Sequence, residues 1–169
     1  MPKDVLKCRF SKCSCLHNST DVNRDEAVQG DNGLYYHPDC FAIKDMVDKT
    51  CNFFIENINR ELTTKQIIQL RSVVYKLIFE NHHDARYIYF CVWYMNKYQP
   101  GKLKFPGGLY YIVQKRDIET AWNKLQTKKQ VKEKRESEEK STQTELFENE
   151  KESFHFIQDK PVGFADILG

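Results

Sequence analysis

Apolar residues recur at helical spacing through the middle of the chain. After Pro38 they follow at steps of four, four, three and four, which places them on one helical face: Ile43, Val47, Cys51, Phe54 and Ile58. This pattern predicts a helix from Pro38 to about Asn57, with the cysteine as a small buried side chain. A second helix, capped by Thr63 or Thr64 and ending near Glu80, is predicted by a similar stripe: Ile67, Leu70, Val74, Leu77 and Ile78.

Two more helical segments follow. Residues 84–98 carry an apolar stripe with dense aromatic residues beside it, which is typical of a core-facing helix; the stripe is Ile88, Cys91, Met95 and Tyr98, and Phe90, Trp93 and Tyr94 widen it. Prolines and glycines at 99–108 predict a loop, because proline cannot continue a helix. A last helical stretch begins near Leu109, with a bend near Asp117.

The apolar period ends at Leu125. Residues 127–152 are almost all charged or polar, so we predict a solvated linker that could extend the helix for some turns. Apolar residues return at 153–169, where Phe164, Ile167 and Leu168 have the spacing of a peptide that docks in a groove or folds back onto the helices.

Cysteine and histidine cluster before the first helix. Cys8 and Cys13 are followed by a polar loop and then by His37-x-x-Cys40, which is the layout of a four-ligand zinc site. A helix that starts at Pro38 puts His37 and Cys40 on one side, where a single ion can reach both. We predict one structural Zn²⁺ bound by these four residues. Cys15 and His17 are the alternatives for an opening ligand.

The loop between the ligand pairs is polar. Residues 18–32 are predicted as loop, with a short hairpin around Asp31-Asn32-Gly33, because Asn-Gly favours a tight turn. Ala27-Val28 and Leu34-Tyr35-Tyr36 would be its strands.

The segment LYYHPDCF resembles the closing half of treble-clef fingers of the LIM and PARP types, in which an aromatic residue precedes His-x-x-Cys-Phe. The likeness covers about a quarter of the chain. Those families usually open with Cys-x2-Cys, whereas this chain has Cys8-x4-Cys13. The resemblance implies a structural zinc finger.

We therefore predict a mainly α protein. A treble-clef-like zinc finger at 1–41 leads into a helical domain of about four helices at 38–126. A disordered charged tail follows, made of a linker at 127–152 and a docking peptide at 153–169. The size, the finger and the helical body resemble small proteins of bacteriophages and other mobile elements.

Charge is unevenly distributed along the 169 residues. Residues 86–135 contain 12 Lys and Arg against 3 Asp and Glu, whereas residues 136–169 contain 3 against 9. A basic middle and an acidic end favour a surface for a polyanion, followed by a tail that competes for it. There is no apolar run of membrane-spanning length and no apolar stretch near the N-terminus. We expect a cytoplasmic protein with reduced thiols and no membrane partner.

These features favour a non-enzymatic protein that binds nucleic acid. A zinc ion with four protein ligands has no open position for water, and the sequence has no nucleophile elbow or nucleotide-binding glycine loop. Basic residues interleaved with Tyr and Trp suit phosphates and bases; the predicted contacts are Lys97, Lys102, Lys104, Lys115, Arg116 and Lys124.

The helical segment faintly resembles the DnaD family of bacterial replication-initiation proteins. The likeness rests on LTTKQIIQL, on the aromatic third helix, and on Ile118-x3-Trp122. That family's motif has Tyr four residues before the Ile, where this chain has Gln114. The resemblance implies an accessory role in bacterial or phage DNA replication or regulation. The alternative is a protein–protein adaptor or inhibitor that docks a partner through its C-terminal peptide.

Overall fold

The computed structural model describes the backbone of residues 5–153 and the side chains of residues 5–135. Four short strands, β1 to β4, precede five α-helices, α1 to α5, in the described residues. The strands are Val5–Lys7, Asp21–Asn23, Val28–Gln29 and Tyr35–Tyr36, and the helices are Pro38–Asn57, Thr64–Phe79, Ala85–Tyr98, Leu109–Ile112 and Arg116–Ser153. The prediction of a mainly α fold with a small N-terminal finger is confirmed.

The strands form two antiparallel pairs. β3 pairs with β4 so that Val28 faces Tyr36, which confirms the predicted hairpin. Gly33 lies in its turn with a φ of 74°, a conformation that glycine adopts without strain. The segment predicted as loop before this hairpin also contains β2, which the sequence analysis does not predict: β2 pairs with β1 and sets Leu6 opposite Val22.

α1 and α2 begin and end close to the predicted residues. His37 is the N-cap of α1, and Pro38 occupies the first turn, where its missing N–H leaves no helical bond unmade. Thr63 caps α2 through a capping box: its hydroxyl accepts from the Gln66 backbone N–H at 3.4 Å, and the Gln66 side chain accepts from the Thr63 N–H at 2.9 Å.

The core lies between the helices. Eight side chains with almost no exposed surface fill it: Val47, Phe54, Leu70, Leu77, Ile88, Met95, Leu109 and Ile118. Cys51 and Cys91 are also buried, as predicted, and burial raises the pKa of the Cys51 thiol to about 11 and that of Cys91 to about 12. Both thiols are therefore protonated at neutral pH and pack as apolar side chains.

The last helical stretch breaks between α4 and α5, slightly before the predicted bend. Val113 closes α4, and the Tyr87 hydroxyl donates to the Val113 carbonyl at 2.9 Å, which fixes the break against α3. α5 runs to Ser153 and so covers residues 127–152, whose role as a linker stays a prediction. The chain divides into two compact units, Met1–Asn123 and Lys124–Gly169. Within the described residues, no helix is apolar over a stretch long enough to cross a bilayer.

Candidate metal centre and basic surface

Four predicted ligands converge at the N-terminus of α1. The Sγ atoms of Cys8, Cys13 and Cys40 and a ring nitrogen of His37 all lie within 4.8 Å of one another. Cys8 follows β1, and Cys13 opens a short 3-10 turn; His37 and Cys40 come from the start of α1. These four residues could therefore hold one metal ion.

Two distances agree with tetrahedral coordination. His37 Nδ1 lies 3.5 Å from Cys13 Sγ and 3.9 Å from Cys40 Sγ. Standard zinc–sulfur and zinc–nitrogen bond lengths at a tetrahedral angle place sulfur and nitrogen about 3.6 Å apart. The observed separations are thus compatible with sulfur and nitrogen ligands on one ion.

A hydrogen bond assigns the tautomer of His37. Its Nε2 lies 3.1 Å from the backbone carbonyl oxygen of Asp21. Because that oxygen can only accept, the proton of the neutral ring belongs on Nε2, and the lone pair of Nδ1 then faces the cysteines. Metal-binding histidines are commonly oriented in this way. β2 supplies this carbonyl, and the Asp21 side chain forms an ion pair with Lys7 of β1.

His17 lies beside this group and contacts His37 and Asp39. Its ring stacks on that of His37 with 3.9 Å between centroids, and its Nε2 donates to Asp39 Oδ1 at 2.9 Å. The same carboxylate oxygen accepts from the Cys40 N–H at 2.9 Å. Burial would raise the pKa of Asp39, but these hydrogen bonds lower it. His17, Asp39 and Cys40 form a second compact group of possible ligands. Cys40 belongs to both groups, so one ion could use it in only one of them at a time.

Cys15 differs from the other finger cysteines. It is exposed, whereas Cys8, Cys13 and Cys40 are 6%, 1% and 0% exposed. It also belongs to neither group of candidate ligands. The structure therefore brings together the first predicted set and leaves Cys15 outside it.

Negative charge on Cys13 or Cys40 is disfavoured, because both thiols are buried beside other thiols. Burial, together with adjacent thiols, raises the pKa of Cys13 and of Cys40. Burial acts in the same direction on Cys8, but hydrogen bonds from the backbone of Phe10 and His37 lower its pKa overall. A bound cation favours the thiolate form, which is the form that binds metal.

The four residues between Cys8 and Cys13 include an aromatic side chain that packs against α2. Phe10, inside that turn, is 5% exposed and packs on Tyr75 and Phe79 of α2, with ring centroids 6.0 and 6.3 Å away. The Cys13 N–H donates to the Phe10 carbonyl at 3.1 Å. The turn is two residues longer than a Cys-x2-Cys turn, and this longer turn contains the aromatic residue that connects the finger to α2.

Five of the six predicted basic residues lie between Lys97 on α3 and Arg116 at the start of α5. Lys97, Lys102, Lys104 and Arg116 are exposed, and Lys115 is half-buried. Gln99 connects several of these segments: its backbone carbonyl accepts from the Lys102 N–H at 3.3 Å, and its Oε1 accepts from Lys115 Nζ at 3.0 Å. Its amide also donates to the Asp117 carboxylate at 3.2 Å.

Some of these charges have no acidic partner. Among the side chains that the structure describes, no carboxylate forms an ion pair with Lys102, Lys104 or Arg116. Lys124 is exposed on α5 and belongs to the second unit. The predicted partner-binding residues Phe164, Ile167 and Leu168 lie outside the described residues.

Exposed aromatic rings accompany the basic residues. Tyr98, Phe105 and Tyr111 are 55%, 58% and 81% exposed. The prediction that Tyr98 belongs to the buried stripe of its helix is wrong: it is the last residue of α3, and more than half of its surface is exposed. The apolar character of Phe105 could have drawn attention to it, but its exposure follows from the loop conformation, which the sequence does not specify.

Comparisons with known proteins add no relative: no protein-family model, curated protein or solved structure matches this chain.

Proposed function

We propose that Cys8, Cys13, His37 and Cys40 bind one structural Zn²⁺, and that the chain is a non-enzymatic protein that binds nucleic acid. The zinc proposal rests on the tautomer of His37, because Nδ1 is left without a proton beside three thiols. Sulfur and nitrogen donors in tetrahedral arrangement favour zinc among the common divalent ions. With four protein ligands, the ion would have a structural role.

Metal analysis of the purified protein tests the zinc proposal. We expect one zinc per wild-type chain and loss of it in Cys40→Ser, because serine does not replace a buried thiolate ligand. Cys15→Ser is the matched control: it removes a thiol from the same finger and should retain the full zinc content. Absence of zinc from the wild type, or equal loss in both variants, would contradict the proposal.

The nucleic-acid proposal rests on the exposed charges of Lys102, Lys104 and Arg116, which form no ion pair with the side chains described, and on exposed aromatic rings in the same part of the sequence. Cations without internal partners attract phosphates, and each neutralised phosphate releases counterions, so the affinity must fall as salt rises. The sequence also predicts nucleic-acid contacts at Lys97 and Lys115 and, on the second unit, at Lys124. An accessory role in bacterial or phage DNA replication or regulation fits such a protein.

A salt titration with mixed-sequence DNA tests this proposal. We expect binding at low salt that weakens steeply as salt increases. Lys102→Glu combined with Lys104→Glu should weaken it by at least tenfold, because charge reversal repels the phosphates. Lys65→Glu combined with Lys76→Glu reverses two exposed lysines of α2 and is the control for total charge. If the wild type does not bind at low salt, or if its affinity is independent of salt, the proposal is wrong.

A further inference from the structure

The end of α3 presents aromatic rings and positive charge at one place. The Tyr98 ring lies 4.7 Å from that of Tyr94 and 6.1 Å from that of Trp93, centroid to centroid. Lys97 Nζ lies 4.9 Å from the Trp93 centroid and 5.2 Å from the Tyr98 centroid. An ammonium group is thus held against two rings, one of which is more than half exposed.

This arrangement is supported from inside the helical domain. Phe90 contacts Trp93, Tyr94 and Trp122, with centroids 5.3 to 5.9 Å apart. Phe90 itself is 8% exposed, so Trp93 and Tyr94 rest on a buried ring. The platform under Tyr98 is therefore rigid, and little side-chain freedom is lost when a ligand stacks on it.

Exposed rings and cations select a particular form of nucleic acid. In a duplex the faces of the bases are covered by their neighbours, so an aromatic side chain reaches them only by intercalation or base flipping. In a single strand the faces are accessible, and stacking on an aromatic side chain tolerates any base. Lys102, in the turn that follows Tyr98, carries a charge for the adjacent phosphate.

We propose that the surface formed by Lys97, Tyr98 and Lys102, with Lys115 and Arg116 beside Gln99, binds single-stranded nucleic acid by stacking a base on Tyr98. This inference rests on the proposed nucleic-acid function and specifies its ligand. Phe105 and Tyr111, which are exposed on the following segment, offer further rings for neighbouring bases.

Binding of the full chain to matched oligonucleotides tests this inference. The ligands are a single strand of about 16 nucleotides, as DNA and as RNA, the corresponding DNA duplex, and a single strand of the same length with abasic sites. We expect the single strands to bind at least tenfold more tightly than the duplex and the abasic strand. The DNA and RNA measurements identify which of the two is preferred.

Variants of Tyr98 separate stacking from charge. Tyr98→Leu should weaken binding of the single strand by about tenfold and leave binding of the abasic strand unchanged, whereas Tyr98→Phe retains the ring and should bind like the wild type. Equal affinity for single strand and duplex, or an unaffected Tyr98→Leu variant, would overturn the inference. In either of these cases, the nucleic-acid function itself would stand if the wild type bound at low salt and charge reversal at Lys102 and Lys104 weakened that binding. Failure of every ligand to bind at low salt would overturn both.

Discussion

The finger, residues 5–41, and the helical body, residues 42–123, have different interiors. Among the described residues, three of the six buried apolar side chains in the finger are the cysteines of the candidate metal group. The body buries eighteen apolar side chains, of which only Cys51 and Cys91 carry a thiol group. Short paired strands of two or three residues add little stability to the finger. We infer that the finger needs its ion, whereas the body is stabilised by apolar packing.

Removal of the ion should produce the largest difference between the two regions. Structural zinc contributes about 10 kcal/mol or more to the folding of small fingers. A strong chelator should therefore expose the N–H groups of Cys8 and Arg9, which donate to Thr20 and Tyr35 in the folded finger. Hydrogen exchange should accelerate at these two positions by orders of magnitude and by less than tenfold at Ile88 in the body. Equal acceleration at all three would show that the regions unfold together.

A cavity in the body should destabilise the body and leave the finger folded. Ile88 is fully buried, so Ile88→Ala should reduce the free energy of unfolding by about 2–5 kcal/mol. Ile68, which is 66% exposed on α2, provides the control, and its replacement by Ala should have an effect of at most about 0.5 kcal/mol. Denaturant unfolding followed by circular dichroism measures both. The zinc content should stay at the wild-type level, and its loss in Ile88→Ala would contradict the proposed independence of the finger.

A cap in the body should respond to pH. Asp84 Oδ1 accepts from the Arg86 N–H at 2.7 Å at the start of α3, so Asp84→Ala should cost about 1 kcal/mol at neutral pH. Burial would raise the pKa of Asp84, but hydrogen bonds from Arg86 lower it below its usual 3.8. Its stabilising effect is therefore complete above that value and is lost as the pH falls through the lower folded-state pKa.

Unfolding of the wild type and the Asp84→Ala variant at neutral and acid pH checks this expectation. The difference between the two proteins should become smaller in acid, because the protonated carboxyl group still offers an acceptor but has lost its charge. Asp84→Asn is the control, because it retains a cap acceptor without the charge and should cost less at neutral pH. A difference that is independent of pH would mean that the carboxylate charge contributes nothing to the cap.

The smallest expected effect concerns a strained residue between α2 and α3. His82 has a φ of 58°, which a residue with a β-carbon adopts at a cost. His82→Gly should therefore stabilise the body by about 0.5–1 kcal/mol. His83→Gly, at a neighbouring position without positive φ, should destabilise it instead. The midpoint of denaturant unfolding reports both changes, and destabilisation by His82→Gly would reveal a side-chain contact that outweighs the strain.

Part of this architecture is readable from the sequence because it has a period or a fixed spacing. The stripe from Ile43 to Ile58 predicts α1, and the pair His37 and Cys40 at the start of that helix predicts two ligands on one side. Asn32-Gly33 predicts the β3–β4 turn. Each of these signals is local, so no distant contact is needed to interpret it.

The features that the sequence does not reveal depend on contacts between distant segments. β2 contains Asp21 and Asn23, which are uncommon in strands, and only its pairing with β1 gives it an extended form. Phe10 resembles any other residue of a polar turn until α2 is placed beside it. Tyr98 continues the spacing of a buried stripe, but the helix ends there and leaves the ring exposed.

The placement of the tryptophans has a practical consequence for spectroscopy. Trp93 and Trp122 are the only two in the chain, and both contact Phe90 in the helical body. Their fluorescence therefore follows the helical body and is insensitive to the finger. Cobalt substituted at three thiolates and an imidazole would give an absorption band that follows only the finger. The two regions can thus be observed separately in one cobalt-substituted sample, without a mutation or an attached dye.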